Sequence, residues 1–201
     1  MIRGRRSRQG FTLLEVLIAM TLFAVVAVNA TMLVRATQRG QSQSDELAQL
    51  EVLANQTLDR VALALMAAQQ EAMNPMNPAP MHSPSIDYQV ATGVEDGEVV
   101  WGDPERIDLD IEDFQVIWYR NPELEDETKV VWGKHVAEAA IGETLENVED
   151  DNGNGLIDEY GLSFHLAEDA RSVLIQLSLA RVNSAGKRIE TTSETRVAFR
   201  N

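Results

Sequence analysis

The longest hydrophobic pattern in the chain is an apolar run over residues 11–34. Glu15 is the only ionisable residue among these 24 positions. As a helix the run would measure roughly 36 Å, which is enough to cross a hydrocarbon core of about 30 Å. A secretory signal peptide has a shorter apolar region, followed by a small-residue cleavage site. The pattern therefore predicts a membrane-spanning helix, and a carboxylate inside such a helix usually marks a functional contact.

A second hydrophobic pattern, with helical spacing, follows the apolar run. Apolar residues recur at steps of three and four positions, whereas most acidic and amide side chains fall on other faces. We predict that the helix continues through residues 35–73 and packs this amphipathic half on a β-sheet. Core packing is favoured over a coiled-coil seam that Leu47 and Leu50 could form with a partner. The apolar positions are Leu47, Leu50, Ala54, Leu58, Val61, Leu65 and Ala68.

Residues 74–84 interrupt the helical pattern. Four of the six prolines in the chain lie here: Pro75, Pro78, Pro80 and Pro84. Because proline lacks a backbone donor and fixes φ, this composition predicts a linker that ends the helix.

Beyond the linker the hydrophobic period becomes two, which is typical of strands with one buried face. The alternation is clearest in residues 173–179, and a loop at 183–187 that contains Gly186 predicts a terminal β-hairpin. The patterns together predict an α+β protein, in which a long N-terminal helix packs on an antiparallel β domain at residues 85–201. Further strands are predicted around residues 86–90, 107–111, 114–119, 130–132, 162–166 and 189–199.

The chain is strongly acidic, and its charges are unevenly distributed. It contains 17 Lys and Arg against 32 Asp and Glu, a formal net charge of −15. Four arginines precede the apolar run, so the positive-inside rule places the leader in the cytoplasm and the residues after the span outside. The acidity of those residues argues against binding of nucleic acid, which depends on neutralising phosphates. Because the chain has no cysteine, an exported domain must be held together by packing, with or without a metal.

The start of the apolar run carries a short motif behind the basic leader. Gly10-Phe11-Thr12-Leu13-Leu14-Glu15 resembles the processing site of type IV pilins and type II secretion pseudopilins. The resemblance implies that a prepilin peptidase and methyltransferase removes residues 1–10, cutting between Gly10 and Phe11, and methylates the new N-terminus at Phe11. It also implies a single-pass protein of the bacterial inner membrane, with a periplasmic C-terminal domain, that is later extracted into a filament.

Glu15 has a physical role in that setting. Cleavage would create a cationic amine at Phe11, and an amine and a carboxylate attract each other strongly where the dielectric constant is low. The two groups lie about one turn apart in the same helix, so pairing within one chain is one interpretation. In a stack of subunits, Glu15 would pair instead with the Phe11 amine of a neighbour, which would offset the desolvation of both groups and fix the axial register.

Two later segments resemble one particular group within this family. Residues 111–120, with Trp132 after a polar loop, resemble the central strands of J-type minor pseudopilins, and residues 172–201 resemble the last hairpin of that group. The resemblance implies a minor subunit of a type II secretion pseudopilus, which primes or caps the filament tip for protein export. A minor pilin of a type IV pilus, active in adhesion, motility or DNA uptake, is an alternative interpretation. A third is an anchored monomer that binds a soluble ligand.

The acidic segment at residues 150–159 has the pattern of a calcium loop. Side chains with oxygen atoms alternate along its first half, and Gly155 supplies a sharp turn before a main-chain carbonyl that is free to bind. Ca²⁺ prefers about six to eight such oxygen ligands. The predicted ligands are Asp150, Asn152, Asn154, the main-chain oxygen of Leu156, Asp158 and Glu159.

One position departs from the helix–loop–helix type of calcium site. The twelfth position, which normally carries a bidentate Glu, is Gly161 here, and a predicted strand follows at once. Asp158 or Glu159 would then supply a carboxylate by a shorter route. We predict a structural Ca²⁺ site, with an acidic Asn-Gly turn that binds no metal as the alternative.

Patterns of catalytic residues are missing from the sequence. The histidines at positions 82, 135 and 165 are scattered, and there is no cysteine, no nucleophile-elbow serine and no phosphate-binding glycine loop followed by lysine. The sequence therefore predicts a structural protein rather than an enzyme, with ATP hydrolysis supplied by a separate cytoplasmic motor.

Overall fold

The computed structural model describes residues 12–167 and 171–199. Within these residues it has one long helix, α1 (Leu13–Ala67), then a 3₁₀ turn (Gln70–Ala72) and nine strands. The chain divides into two compact units, Met1–Asp45 and Glu46–Asn201. The strands are β1 (Ser85–Tyr88), β2 (Ala91–Glu95), β3 (Glu98–Trp101), β4 (Glu105–Asp110), β5 (Gln115–Arg120), β6 (Thr128–Lys134), β7 (Leu162–Leu166), β8 (Ser172–Val182) and β9 (Arg188–Ala198).

In the first unit, α1 carries exposed apolar side chains along its length. Leu13, Phe23 and Leu33 are each more than two-thirds exposed. The polar side chains within the run are bonded inside the helix, because each donates to a carbonyl three or four residues earlier; these donors are Thr21, Asn29 and Thr31. A lipid environment requires such internal pairing of polar groups. By length and composition, this helix could cross a membrane.

In the second unit, the remainder of α1 buries one face in the core. Leu50, Leu58 and Leu65 lie at helical spacing and are at most 3% exposed. They belong to the predicted apolar stripe, so the structure uses Leu50 for core packing rather than for a coiled-coil seam. The helix ends at Ala67, before the predicted end at residue 73, because Ala68 already forms a β-bridge with Val90.

The first turn of this buried segment is tied to the turn between β8 and β9. Arg181 Nη2 donates to the main-chain oxygen of Glu46 at 2.9 Å. The Glu46 carboxylate accepts the backbone N–H of Ser184 at 3.0 Å and also the Ser184 hydroxyl. These hydrogen bonds fix the start of the packed helix against the terminal hairpin.

The strands form two sheets and a separate hairpin. The sheet orders are β1-β4-β5-β6 and β7-β8-β9, while β2 pairs with β3, and every pair is antiparallel. Buried side chains from α1 and from both sheets form one hydrophobic core. The predicted α+β class, a long helix with an antiparallel β domain, is confirmed. The terminal hairpin is also confirmed, with Val182 opposite Arg188 beside the turn.

The β2–β3 hairpin did not appear in the predicted set of strands. Most of its side chains are exposed or only half-buried, so its sequence lacks the alternation produced by a buried face. Asp96 and Gly97 form its two-residue loop with positive φ angles of 51° and 87°. This conformation is the one that short hairpin turns prefer.

Residues 74–84 lie between the 3₁₀ turn and β1, and their backbone is paired with the sheets. Asn74 exchanges two hydrogen bonds with Asp87 of β1, and Ser83 exchanges two with Phe164 of β7. A chain segment whose backbone polar groups are bonded in this way is part of the folded domain rather than a free connection.

Candidate functional site

The first candidate site is the start of α1. The predicted processing residues Gly10 and Phe11 lie outside the described residues, and Thr12 is the first residue that the structure describes. Glu15, the predicted assembly residue, lies in the first turn of α1. The described part of this site therefore consists of Glu15 and its neighbours within residues 12–45.

Glu15 and Thr12 close a capping box at the helix N-terminus. Glu15 Oε2 accepts the backbone N–H of Thr12 at 2.9 Å and the Thr12 hydroxyl at 2.9 Å. The Thr12 hydroxyl oxygen accepts the backbone N–H of Glu15 at 3.3 Å. Such a box satisfies backbone donors that a helix start leaves unpaired. Glu15 thus supports its own helix in addition to any contact with another molecule.

Apolar residues share the helix face of Glu15. Ala19 and Phe23 follow at steps of four, and Phe23 is largely exposed. The next basic residue in the sequence is Arg35, about 30 Å further along the helix axis. None of the ion pairs within residues 12–167 and 171–199 includes Glu15. In lipid or in a helix bundle, residues 12–34 therefore offer this carboxylate no cationic partner.

The second candidate site is the acidic loop, which curls around the Asp150 carboxylate. Asp150 Oδ1 accepts the N–H of Gly153 at 2.6 Å and of Asn154 at 3.1 Å, and Oδ2 accepts the N–H of Gly155 at 2.8 Å. Gly153 and Gly155 have positive φ angles of 77° and 90°, which favour glycine. The two glycines therefore allow the tight curvature that the loop pattern predicts.

Glu159 lies inside this loop and is fully buried, with 0% of its surface exposed. Its Oε1 accepts the side-chain amide of Asn152 at 2.7 Å and that of Asn154 at 2.5 Å. Its Oε2 is buried and has no hydrogen-bond partner. The structure therefore brings two other predicted ligands, Asn152 and Asn154, to the Glu159 carboxylate.

Glu143, which the sequence pattern did not indicate, lies beside Glu159. Its Oε1 accepts the backbone N–H of Asp158 at 3.1 Å, and its Oε2 is buried without a hydrogen-bond partner. Burial, followed by repulsion from the Glu159 carboxylate, raises the pKa of Glu143. Glu143 precedes the calcium-loop pattern, so only the folded chain shows that it belongs to this cluster.

The remaining predicted ligands have different surroundings. The Asp158 carboxylate accepts the N–H of Asn147 at 2.9 Å and of Val148 at 3.1 Å, so its side chain supports the neighbouring turn. Leu156 is buried, and its N–H donates to Asn154 Oδ1 at 2.9 Å. These contacts hold the end of the loop in place, and Asp150 and Glu159 are the carboxylates that are bonded within the loop.

The comparisons with known proteins concern the first site. The prokaryotic N-terminal methylation motif matches residues 5–28, a range that includes Gly10, Phe11 and Glu15. No curated protein and no solved structure matches the chain. The motif supports membership in the type IV pilin-like proteins, and it suggests a structural subunit that is processed by prepilin peptidase and assembles with other pilins. The motif and the exposed apolar helix together fit a membrane-anchored pilin-like protein.

Proposed function

We propose that this chain is a minor subunit of a type II secretion pseudopilus, processed between Gly10 and Phe11 and assembled through α1. The observation that carries the proposal is Glu15, a carboxylate on an exposed apolar helix inside the matched methylation motif. No basic residue among positions 12–34 can neutralise it. The Phe11 amine of a neighbouring subunit has the charge and the axial position that this carboxylate requires.

Assembly then becomes a transfer between two apolar environments. Before assembly, residues 11–34 lie in the inner membrane with the arginine-rich leader in the cytoplasm and the β domain in the periplasm. In the filament, the same apolar side chains pack against like helices, so little apolar surface becomes exposed to water. Glu15 sets the axial offset between neighbouring subunits, because only one offset places its carboxylate beside the neighbour's amine.

The β domain determines which subunits sit beside each other at the filament tip. The resemblance of residues 111–120 and 172–201 to J-type minor pseudopilins supports a position at the tip, where minor subunits prime or cap the filament. A separate cytoplasmic motor supplies the energy for extraction. This chain acts as a structural part in export and carries out no chemistry itself.

The alternative is a minor pilin of a type IV pilus, since the motif at residues 5–28 is typical of both machines. The net charge of −15 disfavours the DNA-uptake version, because a domain that captures DNA needs a positive surface. Under this alternative, the remaining functions of the pilus would be adhesion and motility. Deleting the gene in a host with both machines separates them: loss of enzyme secretion supports the pseudopilus, and loss of pili alone overturns it.

Glu15→Gln tests the assembly role and keeps the helix start intact. Glutamine can form the same capping box with Thr12 but lacks the charge. We expect the variant to be processed to a methylated Phe11 and to remain in the membrane, with at least about a tenfold loss of incorporation into filaments. Mass spectrometry reports the N-terminus, and the amount of subunit in sheared filaments reports incorporation.

Thr12→Val is the matched control for this experiment. It removes the hydroxyl of the capping box and leaves the Glu15 carboxylate, so filaments should still incorporate it. Normal incorporation of the glutamine variant would contradict charge pairing, and a defect in Thr12→Val alone would assign Glu15 to capping. A mature chain that begins at another residue would contradict the pilin-like assignment itself.

A further inference from the structure

Glu159 lacks the partner that a buried carboxylate needs. Its side chain is fully enclosed, one oxygen is contacted by two neutral amides, and the other has no hydrogen-bond donor. Neither Glu159 nor Glu143 takes part in an ion pair within residues 12–167 and 171–199. Burying a carboxylate without a counter-charge is unfavourable, and a second carboxylate beside it adds repulsion. A cation at this position would relieve both effects.

The groups around the two glutamates decide which cation fits. No three His, Cys, Asp or Glu side chains of the described residues converge closely enough to hold a metal by themselves. The available ligand atoms are instead the carboxylate oxygens of the two glutamates, the amide oxygens of Asn152 and Asn154, and the main-chain oxygen of Leu156. Zinc and copper prefer nitrogen and sulfur ligands, whereas Ca²⁺ accepts flexible shells of oxygen alone.

Gly161 explains why this loop cannot use the usual twelfth-position glutamate. A Cβ atom on Gly161 would lie 2.0 Å from the main-chain oxygen of Ala137 and 2.9 Å from a side-chain carbon of Val136. The close approach of residues 136–137 therefore excludes any side chain at position 161. Glu159, two residues earlier, and Glu143, before the loop, provide carboxylates that the twelfth position cannot.

We propose that the loop binds one Ca²⁺ ion with Glu143 and Glu159 as its two charged ligands, while Asp150 holds the loop backbone through three N–H contacts. The amides of Asn152 and Asn154 now direct nitrogen at Glu159, and rotation about their last side-chain bond brings oxygen toward the ion instead. The main-chain oxygen of Leu156 completes the protein ligands, and water fills the remaining positions. The ion joins both ends of the long connection between β6 and β7 and holds it in one conformation.

This site does not depend on the proposed role in a filament, and it can be tested on the isolated protein. The full chain is purified in detergent, stripped with EGTA, titrated calorimetrically with CaCl₂ and unfolded by heat with and without Ca²⁺. With Ca²⁺ a hundredfold above Kd, we expect the unfolding temperature to rise by roughly 5–10 °C. MgCl₂ should give a smaller rise, because Mg²⁺ sheds its water less readily.

Glu159→Gln is the decisive variant. It keeps the size of the side chain and an oxygen that the two amides can contact, but it removes the charge. We expect it to bind Ca²⁺ at least about tenfold more weakly than the unsubstituted chain. In EGTA it should unfold at the same or a higher temperature, because an unpaired buried charge is gone. Reduced binding without lower stability separates a ligand from a merely structural residue.

Asp151→Asn is the matched control, since it removes one charge from the same loop. The Asp151 carboxylate accepts hydrogen bonds from the Thr144 N–H at 3.2 Å and from the Asn147 side-chain amide at 2.7 Å. Calcium binding should persist in this variant within about a factor of two. Three results would overturn the site: no heat and no thermal shift in the unsubstituted chain, unchanged binding by Glu159→Gln, or an equal loss in Asp151→Asn.

Discussion

Asp108 shows how the fold constrains a single ionisable residue. It lies on β4, where its carboxylate is about half removed from water. Burial raises the pKa of Asp108 above its ordinary value of 3.8, and the attraction of Arg106 opposes this only in part. A raised folded-state pKa means that the folded state binds this proton more tightly than the unfolded chain. Its contribution to stability is therefore present below pH 3.8 and is lost as the pH rises through the folded-state value.

Asp108→Asn should consequently stabilise the domain at neutral pH. We expect a higher unfolding temperature at pH 7, and a gain that shrinks as the pH falls toward 3.8, the ordinary pKa of this carboxyl, because the unsubstituted side chain is increasingly protonated there. Thermal unfolding of the full chain in detergent at both pH values measures this. Asp103→Asn, at an exposed position, is the control and should change little. An equal gain at both pH values would assign the effect to packing rather than to ionisation.

Residues of the two sites differ in how far the sequence could reveal them. Asp150, Asn152, Asn154 and Glu159 follow each other at short fixed spacing, so the pattern alone grouped them. Glu143 reaches the same cluster only because the chain folds back, and no local spacing records that approach. The capping role of Thr12 could have been predicted, because a threonine three positions before a glutamate is the sequence pattern of a capping box.

The secondary-structure elements were predictable wherever one of their faces is buried. The stripe on α1 and the alternation in β7, β8 and β9 reflect that burial directly. The β2–β3 hairpin has no fully buried residue, so hydrophobic periodicity could not reveal it. Asp96-Gly97 was the available signal, since this dipeptide favours the short hairpin turn that the structure contains.

The two kinds of leucine on α1 provide a test of the buried stripe. Leu58 is 3% exposed and belongs to the core, whereas Leu63, five residues further along the same helix, is 67% exposed. Leu58→Ala should lower the free energy of unfolding by about 2–5 kcal/mol, because it leaves a cavity. Leu63→Ala should change it by about 0.5 kcal/mol or less. Denaturant unfolding compares them, and equal losses would contradict the packing of this face.

At the scale of the whole molecule, the core and the apolar run belong to different units. Every residue of the core cluster lies at position 50 or beyond, whereas the exposed apolar run lies within Met1–Asp45. The second unit therefore contains the hydrophobic contacts that stabilise it, and the first unit contains the surface that requires lipid or partner helices.

This division predicts the behaviour of residues 46–201 as a separate fragment. We expect it to be soluble without detergent and to unfold cooperatively, because it retains the complete core. Sedimentation and circular dichroism measure both properties, with the full chain as the comparison that needs detergent. Aggregation of the fragment, or gradual unfolding, would show that the core depends on residues before position 46.

The attachment of Glu46 to Arg181 and Ser184 has a mechanical consequence. It lies at the residue where the second unit begins. In the proposed filament, a force along the axis of α1 would reach the second unit at this residue. Three hydrogen bonds from Arg181 and Ser184 hold this residue, so such a force would be divided among several contacts. The start of the packed helix is thereby anchored to the terminal hairpin at the place where an axial load would act.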